Sequence, residues 1–240
     1  MLTEENSEKF MKYFSEIEEH LQDRSEAGGF QPFGNLLNIF KDKDSTIKFY
    51  YDELQHIKNI RNLIVHNHEY YAVPNERTLN LLKKIRDKLL DPPTVYPLFE
   101  KDVLVVEETR SVVRTVKSMN RHSYTQVPVM DDRGEVMGLL TDKTVSRWLG
   151  DLEFEEEKNL ILPDTSVEEV LAYTKEDHIY DIIGPDVNLA AVLDKFNRAQ
   201  RRGQRLDALI IADRRDSGQE LLGIITPWDI PVIYEELNEV

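Results

Sequence analysis

Up to Asp91 the apolar positions recur every three or four residues: Phe10, Phe14, Ile17 and Leu21, then Leu54, Ile57, Ile60 and Ile64, then Leu79, Leu82, Ile85 and Leu89. That period predicts three or more amphipathic helices closing around a shared apolar core. Between the first two, the stretch Ser25 to Asn35 carries Gly28, Gly29, Pro32 and Gly34 and reads as a loop. Asp91-Pro92-Pro93 then ends the helical pattern, because proline removes a backbone donor and forces the preceding residue into an extended path.

Beyond this break, short apolar runs alternate with helical stretches. Val103 to Val106 predicts a strand, Ser111 to Met119 a helix, and Val127 to Met130 a second strand. Asp131-Asp132-Arg133-Gly134 is a turn signal leading to a strand over Val136 to Leu140 and a helix over Lys143 to Leu149. The order then repeats. Ile179 to Ile183, a helix marked by Leu189, Val192, Leu193 and Phe196, Ala208 to Ile211, a turn over Asp213 to Gln219, Leu221 to Thr226 and a last helix reproduce it. The fold class expected is α+β: an N-terminal α-helical bundle followed by two β-α-β-β-α modules, which bury their sheets by packing as a pair. The expected layout is 1–91 helical domain, 92–97 linker, 98–150 first module, 151–177 intermodule segment and 178–240 second module.

The two modules share one signature, Gly138-Leu-Leu-Thr141 and Gly223-Ile-Ile-Thr226. Each is an apolar strand closed by a threonine placed to cap the next helix. In the second copy Pro227 takes the first helical position and Asp229 the first turn. A helix start of this kind favours an anion such as phosphate. The intermodule run Asp151 to Lys158 reads as a solvated acidic linker, and Ser166 with Glu169 predicts a capping box opening an extra helix.

Charge separates the two regions. Residues 1–91 hold 13 Lys and Arg against 16 Asp and Glu, and the remainder 17 against 29. Polynucleotide binding rests mainly on cations, so the acidic second region is a poor seat for it and any RNA contact should involve the helical domain. With zero cysteines there are no disulfides or thiolate chemistry. The absence of an 18-residue apolar run predicts no membrane span, the acidic start Met1 to Glu5 predicts no secretory signal, and a cytoplasmic location is expected. Neither the nucleotide-binding Gly patterns nor a zinc-type His spacing is present, and no metal site is expected.

On Val127 to Gly134 leading into Gly138 to Thr141, and Ala208 to Asp213 leading into Gly223 to Asp229, residues 98–240 resemble a tandem pair of CBS (cystathionine-β-synthase-type) domains. The resemblance implies a compact disc with two clefts and an adenosine-containing ligand such as AMP, ATP, S-adenosylmethionine or cyclic di-AMP. It gives the motif threonine, Thr141 or Thr226, to phosphate, and the carboxylate three residues later to the ribose hydroxyls. Thr226 and Asp229 fit, whereas Thr144 stands where the first module's Asp is expected. One competent cleft, that of Thr226 and Asp229, is therefore expected, with Arg201 and Arg205 as reservoirs of phosphate partners.

In the helical domain, Arg61-Asn62-Leu-Ile-Val-His66 resembles the Arg-Asn-x-x-x-His signature of the HEPN superfamily. That likeness implies a dimerising helical domain, which in many members cuts RNA without metal, with His66 in acid–base chemistry, Arg61 on phosphate and Asn62 as a polar contact. Asn62 and His66 share a helix face, whereas Arg61 and His66 diverge by about 140° on an ideal helix, so convergence needs a helix end or a second protomer. The function expected is that of a homodimeric regulator whose nucleotide-binding pair controls a helical effector domain, with no cofactor required. The alternatives are a metal-independent endoribonuclease switched by the pair, with RNA as partner, and a scaffold with degenerate sites.

Overall fold

The computed structural model describes residues 2–66, 73–152, 164–215 and 218–239. It divides into two compact units. One comprises residues 1–94 with 188–195 and 230–240, the other residues 95–187 with 196–229. The division falls within the Asp91 to Pro97 stretch, and the helical unit also takes in two segments from the C-terminal part of the chain.

The helical unit begins with α1 (Leu2–Asp23), α2 (Phe33–Phe40), α3 (Ser45–Phe49), α4 (Tyr51–His66) and α5 (Glu76–Leu90). The faces read from periodicity are the ones buried: Phe10, Phe14, Ile17 and Leu21 from α1 meet Leu54 and Ile57 from α4 and Leu79, Leu82, Ile85 and Leu89 from α5. Asp44 caps α3 by accepting from the backbone of Thr46 and Ile47, and Asn75 caps α5 through Thr78. The last helix of the chain, α11 (Ile230–Asn238), belongs to this unit, buries Ile233 and Leu237, and is tied to it by polar contacts. The buried Tyr50 hydroxyl donates to the Leu237 carbonyl, Lys88 pairs with Glu236 at 2.9 Å, and Lys84 donates to the Asn238 carbonyl.

The second unit runs α6 (Val95–Leu98), β1 (Val106–Glu107), α7 (Val112–His122), β2 (Gln126–Met130), β3 (Val136–Thr141), α8 (Asp142–Asp151) and α9 (Val167–Leu171). It continues as β4 (His178–Ile183), α10 (Leu189–Arg201), β5 (Arg205–Arg215) and β6 (Gly218–Ile225), then a 3-10 turn over Pro227–Asp229; α10 begins in the segment assigned to the helical unit. Two three-stranded sheets result, β1-β2-β3 and β4-β5-β6, each with its first pair parallel and its second antiparallel. Identical order and sense in both makes the duplication structural as well as sequential.

The sheets pack face to face through Val136 and Leu139 of one and Tyr180, Ile182, Ala208, Ile210, Leu221 and Ile224 of the other. Polar contacts fix their register: the Gln219 side chain accepts from Val136 N–H at 3.0 Å, and Gln126 donates to the Asp207 carbonyl at 3.0 Å. The capping box expected at Ser166 forms, with Ser166 N–H donating to Glu169 and Glu169 N–H donating to the Ser166 hydroxyl. The helix it opens packs Val167 and Val170 into the core of the first module, beside Val112, Met119, Val127, Val129 and Trp148.

Two expectations are corrected. The turn read over Asp213 to Gln219 is narrower: residues 213–215 and 218–219 belong to the β5–β6 ladder, paired as Asp213↔Glu220, Arg214↔Gln219 and Arg215↔Gly218, because backbone pairing carries a hairpin on past its apolar run. The strand read over Val103 to Val106 shrinks to Val106–Glu107, because the parallel partner β2 offers only Val129 and Met130 to it. Most of the acidic run Asp151 to Lys158, from Glu153 onward, lies outside the described residues, as do Asn67 and His68.

Candidate functional site

The two Gly-to-Thr signatures end at two related cavities in the second unit. The first, of about 160 Å³, is lined by Gly138, Leu139 and Thr141 from β3, Leu171 and Thr174, His178, Ile179 and Tyr180 from β4, and Asp207 from β5. The second, of about 170 Å³, is lined by Lys101 to Leu104, Ser123 to Gln126, Pro128, and Ile224 and Thr226. Gly138 and Gly223 occupy matching register positions, opposite Val129 and Ile211. Each stands at a close approach: a Cβ on Gly138 would sit 2.6 Å from Leu171 Cδ1, and one on Gly223 only 2.2 Å from the Phe99 carbonyl oxygen.

At the second cavity, Thr226 and Asp229 are in direct contact. One Asp229 oxygen, Oδ2, accepts both the Thr226 N–H at 2.7 Å and the Thr226 hydroxyl at 2.9 Å. The carboxylate thus caps the turn from its third position, and the chain passes directly into α11. On the opposite wall Ser123 holds a left-handed backbone, φ 57°, as the C-cap of α7, a conformation glycine adopts at lower cost.

At the first cavity Thr141 caps α8 by accepting from Thr144 N–H at 3.1 Å. The hydroxyls of Thr141, Thr144 and Thr174 form a chain with steps of 3.0 and 3.4 Å. Thr144, where the resemblance expects an Asp, is therefore a buried link in a hydroxyl relay. A carboxylate is present nonetheless. Asp207, with a side chain 8% exposed, accepts from His178 Nδ1 at 2.8 Å and from Arg205 Nε at 2.7 Å. Arg147 Nη2 stands 3.2 Å from His178 Nε2. A guanidinium only donates, so Nε2 accepts and Nδ1 carries the proton given to Asp207. Burial pushes the Tyr180 phenol up, so it lines the cavity protonated.

These placements sort the sequence candidates. Arg205, read as a phosphate partner beside Thr226 and Asp229, is instead anchored to Asp207 at the first cavity, because the parallel register pairs it with His178. Arg201 is exposed in the last turn of α10 and lines neither cavity among the described residues. In α4, the Arg61 guanidinium lies 5.6 Å from the Phe14 ring centre with its Nε buried, while Asn62 points outward. His66 closes that helix, and its side chain lies outside the described residues. Sequence reading missed His178, Asp207 and Thr174. The one local signal was the alternation Arg205-Leu-Asp207 ahead of an apolar run, which puts both charges on one strand face.

The CBS domain family model matches residues 95–151. This stretch is similar to a CBS-type module. The same strand order and terminal threonine recur over 178–229, so the matched stretch is the first of two like-ordered units. Solved CBS structures similar to this chain include the domain pair of protein MJ0100 in complex with 5′-methylthioadenosine and S-adenosyl-L-methionine, 17% identical over 60% of this chain and 98% of its own, with a TM-score of 0.44. The CBS domains of a transcriptional regulator from Streptococcus pneumoniae are 19% identical over 53% and 86%, with a TM-score of 0.37. CBSX2 in complex with AMP is 15% identical over 61% and 99%, with a TM-score of 0.42. No curated protein matches the chain. Among the described residues, no helix is long and apolar enough to cross a membrane.

Proposed function

We propose that the paired modules bind an adenosine-containing small molecule and that its binding regulates the helical unit. The observation that carries this reading is the pair of cavities, each ended by the threonine of a Gly-to-Thr signature and each walled by strands of both modules. At the second cavity the Thr226 hydroxyl and amide meet phosphate once Asp229 releases them, and Asp229 accepts the vicinal ribose hydroxyls. The exchange breaks the Asp229–Thr226 cap, and the chain that follows is α11. Because Tyr50, Lys84 and Lys88 hold α11 in the helical unit, a ligand preferring one arrangement of the turn shifts the population of that unit's states. In this reading the protein is a regulator acting as a dimer through its helical unit, and it turns over no substrate.

Calorimetric titration with AMP and ATP tests it. Wild type is expected to bind at least one, and Asp229→Ala to weaken that binding tenfold or more. Absence of heat and of thermal-shift response for both nucleotides would overturn the sensor reading.

A further inference from the structure

The first cavity, whose motif lacks its own carboxylate at Thr144, is equipped by the other module. Its lining polar groups are the Thr141 and Thr174 hydroxyls, the Tyr180 phenol, His178 and the Asp207 carboxylate. Three of these are fixed before any ligand arrives. Asp207 is held by His178 and Arg205, His178 is held in one tautomer by Arg147, and Thr141 is held by the α8 backbone. Each Asp207 oxygen spends one lone pair on these contacts and keeps another. His178 has both ring nitrogens engaged and offers the cavity no free donor.

Shape and charge narrow the occupant. The remaining wall is apolar, from Met137, Leu139, Leu171 and Ile179, and the volume equals about five waters, room for one ring-sized group. Among the described residues the arginines of the network do not line the cavity, so the formal charge facing it is the negative one on Asp207. A phosphate there would meet a carboxylate. A flat uncharged group with N–H or O–H donors would find an acceptor in Asp207, hydroxyls that can either donate or accept, and apolar walls for its faces.

We infer that the Thr141 cavity is a second, phosphate-excluding site in which Asp207 of the opposite module replaces the missing motif carboxylate and selects the uncharged, donor-bearing part of a nucleoside. This rests on the adenosine-ligand reading above and assigns the two cavities different ligand chemistry: a nucleoside at Thr141, a phosphorylated ligand at Thr226.

The test titrates adenosine and AMP into wild type, Asp229→Ala, Asp207→Asn and Thr174→Val, with thermal melts to establish that each variant is folded. Adenosine is expected to bind wild type and Asp229→Ala alike, to lose at least tenfold in affinity with Asp207→Asn, and several-fold with the isosteric Thr174→Val. AMP is expected to depend on Asp229 and to be within twofold of wild type in Thr174→Val. If adenosine affinity is unchanged in both Asp207→Asn and Thr174→Val, or if wild type binds AMP and not adenosine, the inference fails while the sensor reading stands. Binding of neither ligand overturns both.

Discussion

Gly223 and Gly138 hold the same place in the two modules but face different obstacles, and alanine at each should separate them. At Gly223 the new methyl would lie 2.2 Å from the Phe99 carbonyl oxygen, about 1 Å inside an ordinary carbon–oxygen contact, with Ile211 Cδ1 also at 3.2 Å. The obstacle is backbone and cannot rotate away. Relief requires the Phe99–Lys101 segment to leave β6, which gives up the Glu100↔Gly223 bridge and the Lys101 N–H to Leu222 carbonyl bond at 3.1 Å. Two backbone bonds at about 1 kcal/mol each and overpacking of roughly 1–3 kcal/mol are offset by about 0.4–1 kcal/mol from the stiffer unfolded chain. The net expected for Gly223→Ala is a loss of about 2–4 kcal/mol. At Gly138 the obstacle is the Leu171 Cδ1 methyl at 2.6 Å, the far end of a flexible side chain that can change rotamer. Gly138→Ala is expected to lose about 1 kcal/mol or less. In parallel thermal melts, at roughly 2–4 °C per kcal/mol for a chain of this size, Gly223→Ala should fall by at least about 4 °C and Gly138→Ala by no more than about 4 °C, the larger loss being at Gly223. Equal losses, or a larger one at Gly138, would refute the close-approach argument.

Three further outcomes are expected. Tyr50→Phe leaves the Leu237 carbonyl without its buried donor, and since burial pushes the Tyr50 phenol up, keeping it protonated, the loss should be about 1–2 kcal/mol, with faster amide exchange in α11. Burial first, and then the Arg24 guanidinium donating to Nε2 at 3.1 Å, lower the His20 pKa below its ordinary 6.5. The folded state then binds fewer protons than the unfolded one, so its contribution is present above about pH 6.5 and is lost as the pH falls through the folded value; melts at pH 7.5 and 5.5 should show a drop that His20→Gln reduces. Ser123→Gly relieves a left-handed φ and should raise stability by about 0.5 kcal/mol, read as a higher urea midpoint at unchanged slope.

What the sequence revealed follows the range of the interactions involved. The helix faces of α1, α4 and α5 were legible because a 3.6-residue period is local, and so was the Ser166–Glu169 cap, which spans three residues. Arg205 was assigned to the wrong cavity's neighbourhood because its partner is chosen by a parallel strand pairing with His178, 27 positions away, that no local pattern encodes. The carboxylate of the first cavity was invisible in the first module because it resides in the second. A search for a motif Asp at 144 finds Thr, and only the packed sheets show Asp207 in that cavity. The hairpin arm over Asp213 to Arg215 reads as turn in the sequence because charge density alone does not distinguish a paired strand from a loop.

The lodging of α9 in the first module sets how the molecule can be dissected. Val167 and Val170 lie some 15 residues past the end of α8, yet they complete the hydrophobic interior around Val112, Val127 and Trp148. A recombinant fragment ending at residue 152 would carry the whole first sheet and still lack part of its interior, while one beginning there would expose two valines with nothing to cover them. A fragment that keeps the first module's interior whole therefore has to run from Val95 past Leu171, across the segment between the two modules.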